Sequence, residues 1–324
     1  MTGPDASLRA RADAGDRAAM TACGKALFAA AEADCVRDGA RYVERAAELG
    51  DGEACAQLSV LIAAGIHTPP DWDKAFHWLQ RAAELGWRAA QEEIRFLSQA
   101  GGDDYAALRA RIDVATWLRP RPVTLARAEP RVMVCEGFMS PAECARLTAR
   151  AAPRMARADV YDPATGAAML AEARSNSKAE IQLADVDLHV LMLQARISAT
   201  IGLPSSHFEP TNVLHYKPGE QFAPHYDFLE PGSEGLAHDL RSRGQRIVTF
   251  LVYLNDDYDG GETAFPRLNY VFKGRTGDAL MFGNVSASGA IDPNTLHAGL
   301  PPTRGEKWLL SQWVRDRPGV PADT

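Results

Sequence analysis

Cysteine is sparse in this chain of 324 residues: there are five (Cys23, Cys35, Cys55, Cys135 and Cys144), an odd number, and no two are spaced C-x-x-C. A four-cysteine zinc site and a dense disulfide framework are thereby excluded, and the pattern reads as reduced thiols in a cytoplasmic protein. Long apolar runs are also missing. The longest, around Ser59–Gly65, is far below the roughly 20 residues that cross a bilayer, so no membrane partner is expected. The opening MTGPDASLRARADAGDR has no apolar stretch and therefore no secretory signal. Excess positive charge is lacking too. Lys and Arg number 35 against 42 Asp and Glu, a net charge of −7, which argues against nucleic acid as a partner.

What remains is an ordinary globular composition, 46% hydrophobic and 24% charged, with enough length for two domains. The first hundred residues are alanine-rich and repeat. ERAAELGDGEACAQLSVL (Glu44–Leu61) returns as QRAAELGWRAAQEEIRFL (Gln80–Leu97), 36 residues later, and GDRAAMTACGKALF (Gly15–Phe28) aligns Gly15 with Gly50 and Gly86. A fixed period with one glycine per unit marks a helical solenoid: small alanines let helices approach, and glycine ends a helix in the left-handed conformation. The units resemble Sel1-like repeats. That resemblance implies protein–protein contact, beside the plainer reading that the repeats only brace the rest of the chain.

Residues 101–130 open with GGDD and close with PRPVTLARAEP, a linker composition. FMSPAECARLTARAAPRM (Phe138–Met155) is a predicted helix with Ser140 as N-cap, Pro141 at the first helical position and Glu143 at the third. A second amphipathic pattern covers Leu183–Leu203. From Thr211 onward short β-branched and aromatic segments, such as RIVTFLVYLND (Arg246–Asp256), are separated by glycine and proline, which suggests a sandwich or jelly roll.

Within that half, FAPHYDFLEPG (Phe222–Gly232) holds His225 and Asp227. On a strand, residues i and i+2 share a face, so an imidazole and a carboxylate can aim at one point. Such a pair offers two ligands of a 2-His-1-carboxylate iron site. The third must come from His67, His77, His189, His207, His215, His238 or His297, and His297, just before the last strand pattern, is the best placed. Asp187-x-His189 sits in a helical pattern, where the side chains diverge; His238 is expected in a solvated loop, His215 turned away from Tyr216, and His67 and His77 in the solenoid half. In KWLLSQW, alternation puts Lys307, Leu309, Ser311 and Trp313 on one face, and a buried cation there needs an anion opposite.

HYKPGEQFAPHYDF, QRIVTFLVYLNDDYDGGETAFP, GDALMF and HAGLPPTRGEKWLLSQW together resemble the Fe(II)/2-oxoglutarate dioxygenases of the prolyl 4-hydroxylase type, and RSNSKAEI (Arg174–Ile181) resembles their arginine-serine segment. The resemblance implies a double-stranded β-helix with supporting helices over residues 131–318, after the helical repeats of 1–100 and the linker, with 319–324 as a tail. It implies Fe(II) on His225, Asp227 and His297, and 2-oxoglutarate held by Lys307, with hydrogen bonds from Tyr216 and Thr249 and with Trp313 against the pocket. O2 completes the reaction, and ascorbate is the expected auxiliary reductant. Fe²⁺, Asp227⁻, a dianionic keto acid and Lys307⁺ sum to zero, which a buried site requires. Asp227 also keeps hydroxylation as the default over halogenation.

The expected reaction is hydroxylation of an unactivated C–H, first of all in a peptidyl proline, with release of succinate and CO2. The alternatives are the same chemistry on another side chain or a small natural product, or a non-catalytic scaffold. Arg174 either grips substrate or braces the fold. Phe228–Gln245 and Asp159–Ser177 are expected to be mobile loops over the mouth. Collagen is a poor guess for a chain read as lacking a secretory signal.

Overall fold

The computed structural model describes residues 3–29, 33–66, 69–161, 168–169, 171–182 and 185–318. His67, the tail from 319 and part of the expected 159–177 loop lie outside them. The chain divides into two compact units, Met1–Pro120 with Gln182–Ile201, and Arg121–Ile181 with Gly202–Thr324.

The first unit is built from helical hairpins that follow the sequence repeat: Ala6–Asp13 with Arg17–Phe28, Ala33–Glu48 with Gly52–Ala64, and Trp72–Glu84 with Arg88–Ser98. Each turns at the aligned glycine, and Gly15, Gly50 and Gly86 sit at φ 98°, 80° and 85°, where a Cβ is penalised. Asp16 and Asp51 then cap the next helix, accepting from the Ala19 and Ala54 amides at 3.0 and 2.9 Å. Small residues set the helix spacing: a Cβ on Gly24 would lie 2.7 Å from Val43 Cγ2, and one on Gly39 2.7 Å from Phe28 Cε1. Met20, Val43, Leu79 and Ile94 are fully buried in the core between.

Two expectations change here. The stretch 101–130 carries the helices Tyr105–Ala110 and Val114–Leu118 and a strand, Thr124–Arg127. Its flanks punctuate as read, but Leu108 and Trp117 bury, and Trp117 Nε1 donates to the Leu97 carbonyl at 3.2 Å. The helix Leu188–Ile201, read from sequence with the second half, belongs to the first unit. Its Leu188 and Met192 join the same apolar core, and the His189 amide donates to Glu93 Oε1 at 2.9 Å.

The second unit contains an eight-stranded antiparallel sheet, in the order Thr124–Arg127, Val132–Cys135, Ala279–Gly283, Arg246–Tyr253, Lys307–Arg315, Thr211–Tyr216, Ser177–Ile181, Ala156–Arg157. A four-stranded sheet runs Tyr270–Phe272, Thr263–Phe265, His297–Gly299, Phe222–His225. Leu214, Leu251, Phe282 and Leu309 of the large sheet meet Phe265 of the small one in a common core. The helix Pro141–Ala151 starts as read, with a reciprocal Ser140–Glu143 capping box and proline in its first turn.

Phe228–Gln245 is not a loop throughout. Residues Glu234–Arg243 form a helix capped by Ser233, and His238 is an exposed residue on it. The Gln245 side chain fastens the helix base, accepting from the Leu229 amide and donating to the Leu229 carbonyl, both at 2.7 Å.

Candidate metal centre

The strands Phe222–His225 and His297–Gly299 pair antiparallel with His297 directly opposite His225. Two imidazoles distant in sequence thus meet with ring centroids 4.2 Å apart. Asp227 lies just beyond the end of its strand, so the i, i+2 argument reaches the right residue through a bend at the strand end. Its Oδ1 is 3.7 Å from His225 Nε2 and its Oδ2 is 3.5 Å from His297 Nε2. One ligand atom from each of the three lies within 4.8 Å of the others.

The surroundings prepare these atoms for a metal. His225 Nδ1 faces the Ala223 carbonyl at 2.8 Å and His297 Nδ1 faces the Thr295 carbonyl at 3.0 Å. A carbonyl can only accept, so each Nδ1 carries the proton and each Nε2 presents its lone pair to the common centre. Burial and neighbouring His297 push the His225 imidazolium down to about 3, against the opposing pull of Asp227, which leaves the ring neutral. Burial would raise the Asp227 carboxyl, but His297, His225, Arg246 and a Thr249 hydrogen bond outweigh it and hold it at about 2. Two imidazoles and a carboxylate, each oriented by a second group, suit a divalent non-haem iron.

Thr249 departs from expectation. Its hydroxyl donates to Asp227 Oδ2 at 2.6 Å and accepts from Asn284 Nδ2 at 3.0 Å, so its proton is spent on orienting a candidate ligand. Asn284 was missed. It is a fully buried amide directly after an apolar strand, and that placement was the available signal.

Lys307, Leu309, Ser311 and Trp313 share one face as alternation required, and all four line a chamber with the three ligands. Lys307 pairs across strands with Tyr216 and is 1% exposed, its Nζ 5.1 Å from the Tyr216 ring and 5.4 Å from that of Tyr253. Among the described residues no carboxylate reaches it; burial pushes its ammonium down to about 7, with Glu262 pulling weakly the other way. Burial raises the Tyr216 phenol to about 12, so it keeps its proton as a donor. Arg174 also lines the chamber, its Nη1 donating to the Asp159 carbonyl at 2.9 Å and its guanidinium 4.4 Å above the Phe222 ring. Two of the rejected histidines are engaged elsewhere: His215 bonds Glu306 at 2.8 Å and stacks on Trp308, and His207 Nδ1 meets the Arg315 carbonyl. An outer cleft of about 650 Å³ opens beside the chamber and shares Arg174, His225, Asp227 and Trp313 with it.

Residues 211–315 match the 2OG-Fe(II) oxygenase superfamily. The chain is 33% identical over 205 residues to a probable prolyl 4-hydroxylase 3 of Arabidopsis thaliana, covering 57% of this chain and 69% of that protein. It is 31% identical to prolyl 4-hydroxylase 1 of the same plant, covering 63% and 79%. The chain belongs to the 2OG-Fe(II) oxygenase superfamily, in its prolyl 4-hydroxylase group.

This 2-oxoglutarate-dependent dioxygenase is also similar to the viral collagen prolyl hydroxylase of Paramecium bursaria Chlorella virus 1, solved as its 2OG complex. The two are 26% identical, with 56% of this chain and 94% of that one covered and a TM-score of 0.44. The family implies Fe(II), 2-oxoglutarate and O2, and the histidine–histidine–aspartate triad of the dioxygenase is the donor set that fits the metal.

Proposed function

We propose that this dioxygenase hydroxylates a peptidyl proline in a protein or peptide substrate, releasing succinate and CO2. The observation that carries this reading is the shared chamber: three ligand atoms converge in it, and Lys307, a buried cation without a counter-ion among the described residues, lines it with them. A dicarboxylate keto acid would satisfy both metal and ammonium, and the charges of Fe²⁺, Asp227, the keto acid and Lys307 would then sum to zero.

Fe(II) with O2 and 2-oxoglutarate supplies the oxidising power that turns C–H into C–OH while the keto acid becomes succinate and CO2. The chain's own groups bind and orient. His225, His297 and Asp227 would hold the metal. Thr249 and Asn284 keep Asp227 turned toward it. Lys307 would take the distal carboxylate, Tyr216 would donate a hydrogen bond to it, and Trp313 and the leucines Leu214, Leu251 and Leu309 would keep water out. Arg174 lines both chamber and cleft, which supports a part in orienting substrate.

The outer cleft supports a peptide substrate, since an extended chain needs an open approach to the metal. The relatives' names point to proline. We read the two-sheet unit as a double-stranded β-helix, the helical hairpins as Sel1-like repeats that recruit the protein substrate, ascorbate as the reductant that rescues idle turnover, and the cytoplasm as the working compartment.

The experiment is 2-oxoglutarate turnover with Fe(II) and ascorbate, with and without proline-rich peptides. Stimulation by peptide with 4-hydroxyproline formed supports the proposal. Turnover that no peptide stimulates moves the substrate to another side chain or a small molecule, and absence of turnover returns the chain to a scaffold role.

A further inference from the structure

Trp313 is the wall between the two spaces: it lines both the iron chamber and the outer cleft. Its indole Nε1 is buried without a hydrogen-bond partner, so the ring is not held by its own polar atom. What holds it comes from the cleft side, where Arg246 and Glu209 line the same space. The Arg246 guanidinium lies 3.8 Å from the centre of the Trp313 ring. Arg246 is gripped in turn by Glu209, whose Oε1 and Oε2 accept from its Nε and Nη2 at 2.6 and 2.7 Å. This two-point fork fixes the guanidinium plane, which a single contact would leave free to turn.

Glu209 holds Trp313 a second way. Its backbone amide donates to the Trp313 carbonyl at 3.0 Å, and the Gln312 side chain joins the Glu209 and Trp313 carbonyls at 2.6 and 3.0 Å. The same carboxylate accepts from Arg315 Nε at 2.6 Å, and Arg315 reaches on to Asp239 Oδ2 and to the Gly244 carbonyl, both at 2.7 Å. Asp239 lies on the helix Glu234–Arg243, whose Leu236 lines the outer cleft. Glu209 thus stands between two buried arginines, Arg246 and Arg315.

We propose that Glu209 is a positioning residue of the dioxygenase: through Arg246 it sets the plane of the Trp313 indole between chamber and cleft, and through Arg315 it ties that wall to the helix bordering the cleft. This rests on the reading of the chamber as the iron and 2-oxoglutarate site. Thr249, opposite Trp313 on the neighbouring strand, orients Asp227, so strand Arg246–Tyr253 carries both the support of a metal ligand and the support of the wall.

The test is a double-mutant cycle on the full chain with Fe(II), read by substrate-free 2-oxoglutarate turnover and by fluorine NMR of protein labelled with 5-fluorotryptophan. The Trp313 resonance is assigned by its loss in Trp313→Phe. Glu209→Gln is expected to shift that resonance, and to raise KM for 2-oxoglutarate about five- to tenfold with kcat within about twofold. In the Trp313→Phe background it should add nothing further to KM, because residues acting through one another are non-additive. Arg246→Lys keeps Glu209 paired but lacks the planar fork. It should reproduce the KM rise at an unchanged Tm, and it stands in if Glu209→Gln does not fold.

An unmoved Trp313 resonance, additive KM effects, or a joint fall of kcat and Tm in the folded variants would overturn the proposal. If the wild type turns over no 2-oxoglutarate either with or without proline-rich peptide, the proposed function fails, while the fluorine resonance still decides the role of Glu209.

Discussion

His225 and His297 stand opposite each other on adjacent antiparallel strands, and each rests its Nδ1 on the carbonyl two residues earlier in its own chain. The same local device occurs twice, so each ring takes its Nδ1 partner from backbone close in sequence. The carboxylate differs. Asp227 lies past the strand end and is turned inward by the Thr249 hydroxyl from the large sheet. Asp227 is therefore the ligand whose orientation depends on a long-range contact.

Removing that contact should loosen the metal. Thr249→Val is expected to lower Fe(II) affinity by about 10- to 100-fold, the usual effect of losing a partner of a metal ligand. Asn284→Ala should act in the same direction and more weakly, since it works through Thr249. Anaerobic Fe(II) titration measures both, and thermal melting checks that the fold is kept.

Lys307 makes the ligand-free protein pH-sensitive. Its ammonium is at about 7 in the folded chain against 10.5 when unperturbed. Between those values the unfolded chain binds the extra proton, so folded stability rises with pH from about 7 to 10.5. Tm of the apo protein measured over pH 7.5–9.5 should climb, and Lys307→Met should flatten the slope and raise Tm at its lower end. The same variant should raise KM for 2-oxoglutarate by about 10- to 100-fold, the loss of one charge-assisted hydrogen bond. Calorimetry at pH 8 in buffers of different ionisation enthalpy should show proton uptake when the wild type binds 2-oxoglutarate, and none for Lys307→Met.

The helical hairpins have a test of their own. Gly24→Ala would place a Cβ 2.7 Å from Val43 Cγ2 and 3.0 Å from the Gly39 carbonyl, backbone that has no room to move. A loss of about 1–3 kcal/mol is expected, as for other overpacked cores, and chemical denaturation measures it. Gly3→Ala, with nothing within 4 Å of the new Cβ, should change nothing.

The site was legible in the sequence where its chemistry is local. Two-residue alternation put Lys307 and Trp313 on one face, and the repeat glycines Gly15, Gly50 and Gly86 turned up in the left-handed turns they marked. Contacts between distant strands were not legible. Thr249 looked like a group facing the cosubstrate because a strand pattern gives a face but not a partner, and its partner Asp227 is 22 residues away. Glu209 gave no local sign of a role, since both its arginines lie far along the chain, at 246 and 315. The helix Leu188–Ile201 was assigned to the wrong unit for a related reason. Amphipathic periodicity shows that a face is buried, but not against which core.

The central claim is that His225, Asp227 and His297 hold an iron whose keto acid is gripped by Lys307. The most direct measurement is succinate formed per 2-oxoglutarate consumed, with Fe(II) and O2, in the wild type and in His297→Ala. The account expects one succinate per keto acid in the wild type, with at least a 100-fold loss on removing the imidazole while the fold persists. Equal turnover in the two proteins, or turnover independent of Fe(II), would contradict it.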